Sequence, residues 1–203
     1  MDNLFTHQDA WSGGFYELAF KLPQTTQSFV NQVLETLWSL PMLEGCFLKR
    51  DIEPSSQEKL SPLMVENEGH WYGIAHFPNG KQSCCGSICA DYEDDGYWIT
   101  LYTPLGSLAR VYEIGPYPFE VEGHSHEQWI IKVNDWFREI AASILPTAKF
   151  ELAIIGFEVD FFDMETKLEK GVPTERWEGI LIPKENELLW YPPTIYDPPI
   201  DMG

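Results

Sequence analysis

Four cysteines and five histidines are the first residues to test for chemistry. His76 lies in a run, residues 70–77, that reads as a β-strand, and Cys85 and Cys89 fall in the next, residues 82–92. If Asn79-Gly80 joins the two as a two-residue turn, His76, Cys85 and Cys89 share one face of a sheet. Thiolates and neutral imidazoles are zinc ligands, but zinc needs three or four donors that converge. A Cys-x-x-x-Cys along a strand separates its thiols by two pleats, so the spacing favours thiol packing on a sheet over a metal centre. His124 and His126 flank Ser125, and His124 stands where it can pack against Trp129 at a helix start.

Paired carboxylates are the second possibility. Glu158 and Asp160 project from one face of a strand end, with Asp163 and Glu165 behind them. Such pairs hold a divalent cation or divide acid and base roles. Asp91, Glu93, Asp94 and Asp95 cluster at a second point, where turn formation accounts for them equally well. Nucleophiles lack a framework. Gly86-Ser87 and Gly106-Ser107 are outside any G-x-S-x-G elbow, Cys85 has no basic neighbour in sequence, and no phosphate-binding loop, G-x-G-x-x-G or H-E-x-x-H is present. The pattern leans away from an enzyme and implies no cofactor.

Charge and aromatic content carry more. The chain has 32 acidic residues against 13 Lys plus Arg, a net charge of −19, distributed along its whole length. That field repels phosphates, so neither nucleic acid nor an anionic membrane is an expected partner, and a basic protein or peptide is. Aromatic residues make up 14% of the chain. Tyr72, Trp98 and Tyr102 fall on one sheet face, and Trp190 and Tyr191 end the last strand. Exposed among polar groups, these are interface anchors, with Asp94 and Asp95 as rim charges. Covered by a loop or by the C-terminal tail, they are a second layer of core.

The elements that must position these residues follow from periodicity. Residues 15–22 alternate Tyr16, Leu18, Phe20 and Leu22 with Glu17, Ala19 and Lys21, the pattern of a half-buried strand. Thr25 or Thr26 starts a helix to about Leu40, striped by Phe29, Val30, Val33, Leu34 and Leu37. Residues 70–77, 82–92 and 97–103 form a meander joined by Asn79-Gly80 and Asp95-Gly96, both type I′ turn signals. The two turns put Trp71, Ala75, Cys84, Gly86, Ile88, Ile99 and Leu101 on the core face and Tyr72, His76, Cys85, Cys89, Trp98 and Tyr102 on the other.

A short strand is expected over 108–114. A second helix starts at a Ser125–Gln128 capping box, carries Trp129, Val133, Trp136, Phe137, Ile140 and Ile144, and stops at Pro146. Residues 150–159 read as a central strand, and 176–182 with 187–191 as a last hairpin.

The expectation is a single α+β domain over 1–203, with a mostly antiparallel sheet of about eight strands and two helices on one face. Residues 1–14 read as a flexible lead-in, 53–69 as a surface loop and 192–203 as a Pro-rich extended tail. No apolar run is long enough to span a membrane and the N-terminus shows no signal peptide, so the chain reads as cytoplasmic with reduced cysteines.

Three functions fit. The first is a non-enzymatic acidic protein that binds a basic partner, such as one that neutralises a basic toxin. The second is a small hydrolase or metal-dependent enzyme built on the His or acidic clusters. The third is a structural or oligomeric domain.

Overall fold

Eight strands, all paired antiparallel, build one sheet in the order β2-β3-β4-β5-β1-β6-β7-β8. They are β1 (Phe15–Leu22), β2 (Leu43–Phe47), β3 (Gly69–His76), β4 (Gln82–Tyr92), β5 (Gly96–Pro104), β6 (Leu152–Phe157), β7 (Gly179–Lys184) and β8 (Glu187–Tyr191). The helices are α1 (Gln27–Trp38), α2 (Leu105–Leu108), α3 (Glu127–Ala148) and α4 (Met164–Glu169). The computed structural model describes residues 3–23, 26–62, 69–92, 96–114, 126–160, 164–185 and 187–196. The expected α+β architecture is the one observed.

The first strand became the centre of the sheet because its alternation serves both sides. Tyr16, Leu18, Phe20 and Leu22 enter the main core with the apolar stripes of α1 and α3. That core also takes Val30, Val33, Leu34 and Leu37 from α1 and Trp129, Val133, Trp136, Phe137, Ile140 and Ile144 from α3. Inside it, the Tyr16 hydroxyl donates to Asn134 Oδ1 at 2.8 Å, which ties β1 to α3. Such a satisfied buried pair contributes about 1 kcal/mol net, whereas an orphaned partner costs more.

Helix α3 does not stop at Pro146. The ring deprives the Ala142 carbonyl of its N–H partner, but the helix continues to Ala148 and ends where Lys149 turns left-handed at φ 40°. His126 is the N-cap residue, and its Nδ1 accepts from Trp129 Nε1 at 3.2 Å. Ser125 of the expected capping box and His124 lie outside the described residues.

The β3–β4 loop overturns the expected facing of β4. A type I′ turn needs positive φ at both central residues. Gly80 has φ 78°, but Asn79 is not left-handed. The last ladder pair is His76 with Gln82; beyond it the Phe77 N–H donates to the Lys81 carbonyl and the Gly80 N–H to the Phe77 carbonyl. The loop is therefore Pro78-Asn79-Gly80, three residues and not two. At the other end of β4, residues 93–95 separate the paired Tyr92 and Gly96, again three.

A one-residue slip sends every side chain of a strand to the other face. Ser83, Cys85, Ser87 and Cys89 thus join Trp71, Ala75, Ile99 and Leu101 towards the helices. Cys84, Gly86 and Ile88 lie with Tyr72, Ile74 and Tyr102.

Two further expectations change. Residues 108–114 are not a strand; α2 and turns occupy 105–112, and the eighth strand is β2 at the sheet edge. Residues 3–14 are not a loose lead-in. Phe5 is 1% exposed and sits edge-on to Trp11 and Phe47, with ring centroids 5.3 and 6.0 Å away. The Glu53 carboxylate fastens this segment, accepting the N–H groups of Leu4, Phe5 and Thr6 at 3.2, 3.1 and 2.7 Å. In the expected loop 53–69, residues 54–56 form a 3₁₀ turn and Gly69 already begins β3. Near the C-terminus, Thr194 Oγ1 accepts from the Arg176 N–H at 3.0 Å, so the described start of the expected tail is tied to the residues that lead into β7.

Candidate functional site

The sheet face away from the helices is covered in two places. The N-terminal segment packs Phe5 and Ala10 on Phe47, Ile74 and Cys84. Val159, Met164 and Leu168 pack on Trp98, Ala19, Ile154 and Ile180. Between the two covers runs a strip of the sheet itself, where Ile88 is 39% exposed and His70 is open to solvent.

Ladder pairing builds the strip as a lateral row. Gly156 on β6 faces Glu17 on β1, which faces Tyr102 on β5, which faces Gly86 on β4, which faces Tyr72 on β3. The glycine at 86 makes room: a Cβ there would lie 2.5 Å from the Tyr102 ring carbon that bears the hydroxyl. Tyr102 therefore lies across β4 and reaches His70, with Oη 2.6 Å from Nε2. Phe15 packs edge-on to the Tyr102 ring at 4.8 Å, and His70 lies 4.5 Å from the Tyr72 ring.

The row contains groups shifted from their ordinary proton affinities. Burial pushes the Glu17 carboxyl up to about 7; the Val159 N–H, which donates to Oε2 at 2.8 Å, opposes this, and the nearby Glu158 adds to it. Partial burial of its ring against Tyr72 and Tyr102, helped by the Arg50 charge, holds His70 below the usual imidazole range. Burial raises the phenol of Tyr102. The strip thus offers one carboxyl that titrates near neutrality and a Tyr–His pair. It offers no accessible thiol, because Cys85 and Cys89 face the helices and Cys84 lies buried beneath the N-terminal segment.

The expected site residues fall in different places. Tyr72 and Tyr102 come together in this row. Tyr72 is half-buried, but Tyr102 is 4% exposed and Trp98 only 2%. Neither Trp98 nor Tyr102 is an exposed anchor; both are buried, Trp98 because Val159, Met164 and Leu168 pack against it. Trp190 is half-buried on the helix side, with the Arg138 guanidinium 5.1 Å from its ring. Tyr191 points to the opposite face, against the Trp98 cluster. Asp94 and Asp95 lie outside the described residues.

The His76, Cys85 and Cys89 set is dispersed by the register of β4. Cys85 and Cys89 are buried towards the helices with their thiols pushed up, Cys89 to about 12. His76 lies on the other face, its Nε2 3.4 Å from Glu44 Oε2. Among the described residues no group of three or more His, Cys, Asp or Glu could hold a metal ion; Asp163, which the sequence sets behind Glu158 and Asp160, lies outside the described residues.

Glu17 and His70 were missed as site residues. The available signal was a carboxylate at an alternate position of the most strongly patterned strand, where a buried partner is the usual reason for a charge. No family model matches the chain, and neither a curated protein nor a solved structure matches it. Among the described residues, no helix is long and apolar enough to cross a membrane.

Proposed function

We propose that this chain is a non-enzymatic acidic binding protein whose partner is a basic protein or peptide, of the kind that neutralises a basic toxin. The observation that carries the reading is the net charge of −19 on a folded domain. A surface of that sign steers a cationic partner into encounter and rejects anionic ones.

The fold supplies a different anchor from those expected. With Trp98 and Tyr102 buried, Trp177 is the large aromatic exposed among the described residues, at 42%. It stands just before β7, in a stretch of sequence that holds Glu175, Arg176 and Glu178 beside it. That combination suits a lysine or arginine side chain, which gains from both a ring and a counter-charge. The Glu17 strip supports the enzyme reading less well, because β4 turns Ser83, Cys85, Ser87 and Cys89 away from it and the N-terminal segment covers Cys84.

Affinity capture from the native cell at low and moderate salt, followed by kinetics on the captured partner, tests the proposal. The expected partner is basic, and its on-rate falls steeply as salt screens the field over about 8 Å at physiological ionic strength. Trp177→Ala then raises the off-rate and costs about 2 kcal/mol. A partner that is acidic or uncharged, with an on-rate indifferent to salt, overturns the reading.

A further inference from the structure

We propose that the groove between the N-terminal segment and the β3–β4 hairpin binds a small organic anion, its charge held by Lys81 and Arg110 and its body lying on an apolar floor. The groove has a volume of about 750 Å³, within the range of small-molecule sites. Leu4, Phe47 and Ile74 line it as floor and wall, and Gln82 adds an amide.

Its four charged residues are not equivalent. Glu53 already accepts the backbone N–H groups of Leu4, Phe5 and Thr6 and the Thr6 hydroxyl at 2.8 Å. Glu44 stands 3.4 Å from His76 Nε2. Both carboxylates are thus engaged by the protein.

The cations are positioned but not neutralised. Lys81 Nζ donates to the Arg110 carbonyl and Arg110 Nη1 to the Asn3 carbonyl, each at 3.3 Å. Each bond uses one donor, where an ammonium has three and a guanidinium five. Among the described residues, neither cation has a carboxylate within ion-pair distance, although acids outnumber bases 32 to 13 in the chain. Two fixed cations with spare donors, above apolar side chains, fit a carboxylate attached to a hydrophobic body. The guanidinium fork matches a carboxylate in both plane and spacing. This binding runs against the global charge, so it is a local property of the groove and independent of the basic partner.

Titration of isotope-labelled protein with benzoate, benzamidine and inorganic phosphate, followed by NMR, tests the proposal. Benzoate is expected to shift the Ile74 and Gln82 amide signals saturably. Benzamidine, of the same shape and opposite charge, is expected to leave them unmoved. The Lys81→Gln/Arg110→Gln variant should bind benzoate about tenfold or more weakly, the scale of one lost charge-assisted hydrogen bond. Lys81→Arg should retain the binding, which separates loss of charge from loss of fold. Unchanged affinity in the double variant, equal binding of benzamidine, phosphate binding as tight as benzoate, or no saturation by benzoate would each overturn the proposal.

Discussion

Tyr102 occupies space that only glycine at position 86 leaves open. The two residues face each other across β5 and β4, and a Cβ at 86 would also come within 2.9 Å of the Trp71 carbonyl oxygen. Gly86→Ala should therefore overpack the strip, costing about 1–3 kcal/mol. In urea unfolding, the increment should shrink by at least half in a Tyr102→Ala background, because the two sites share one volume. Full additivity would show that the ring moves aside without cost.

How much of this was legible beforehand depended on whether the signal was local. The α3 stripe and one face of β1 are periodic, and Trp129 to Ile144 of the stripe and Tyr16, Leu18, Phe20 and Leu22 are buried where the pattern placed them; the alternate face of β1 is not the open one that a half-buried strand implies, because Ala19 and Lys21 are buried as well. The facing of β4 rested on loop length. Asn79-Gly80 looks like a two-residue turn, yet Pro78 before it is better suited to the first corner of a type I turn, which a left-handed glycine then completes.

Strand β2 has five residues, Leu43–Phe47, with Glu44 and Gly45 breaking its pattern. It exists because β3 offers an edge, which no local window contains. Trp98 was placed on the correct face, but its burial depends on Met164 and Val159, residues distant in sequence that come to rest over it.

Glu17 makes stability depend on pH in a direction opposite to most acids. Its folded carboxyl keeps its proton up to about 7, whereas an unfolded glutamate releases it at about 4.3. Between those values the folded state binds more protons, so this residue lowers stability as pH rises and reaches its full cost above neutrality. With part of the side chain in water, the cost is on the order of 2 kcal/mol. Glu17→Gln keeps an acceptor for the Val159 N–H and removes the charge. Urea midpoints should show the variant gaining on wild type from about pH 5 to about pH 8 and then holding level. A constant difference across that range would mean that Glu17 is ionised throughout.

Glu53 acts in the reverse sense, and through it the N-terminal segment guards one cysteine. Burial opposes ionisation of Glu53, but the bonds from Thr6, Phe5 and Leu4 together outweigh it and hold the carboxyl below its ordinary range. The stabilisation it lends is present above the usual glutamate range and is lost as pH falls through that lowered value. Beneath the segment it fastens, Cys84 Sγ donates to the Leu4 carbonyl at 3.0 Å, and burial pushes the thiol up to about 12. Cys85 and Cys89 are buried on the opposite face, under the helices, and do not depend on this segment. Glu53→Ala should therefore loosen residues 4–6 and make Cys84 react with an alkylating reagent much faster, while Cys85 and Cys89 stay protected until global unfolding releases all four free thiols. Mass-spectrometric mapping of the labelled site in native protein decides the matter. Equal acceleration at all the cysteines would mean that the substitution unfolds the domain, and no acceleration at Cys84 would mean that Phe5 and Trp11 hold the segment without Glu53.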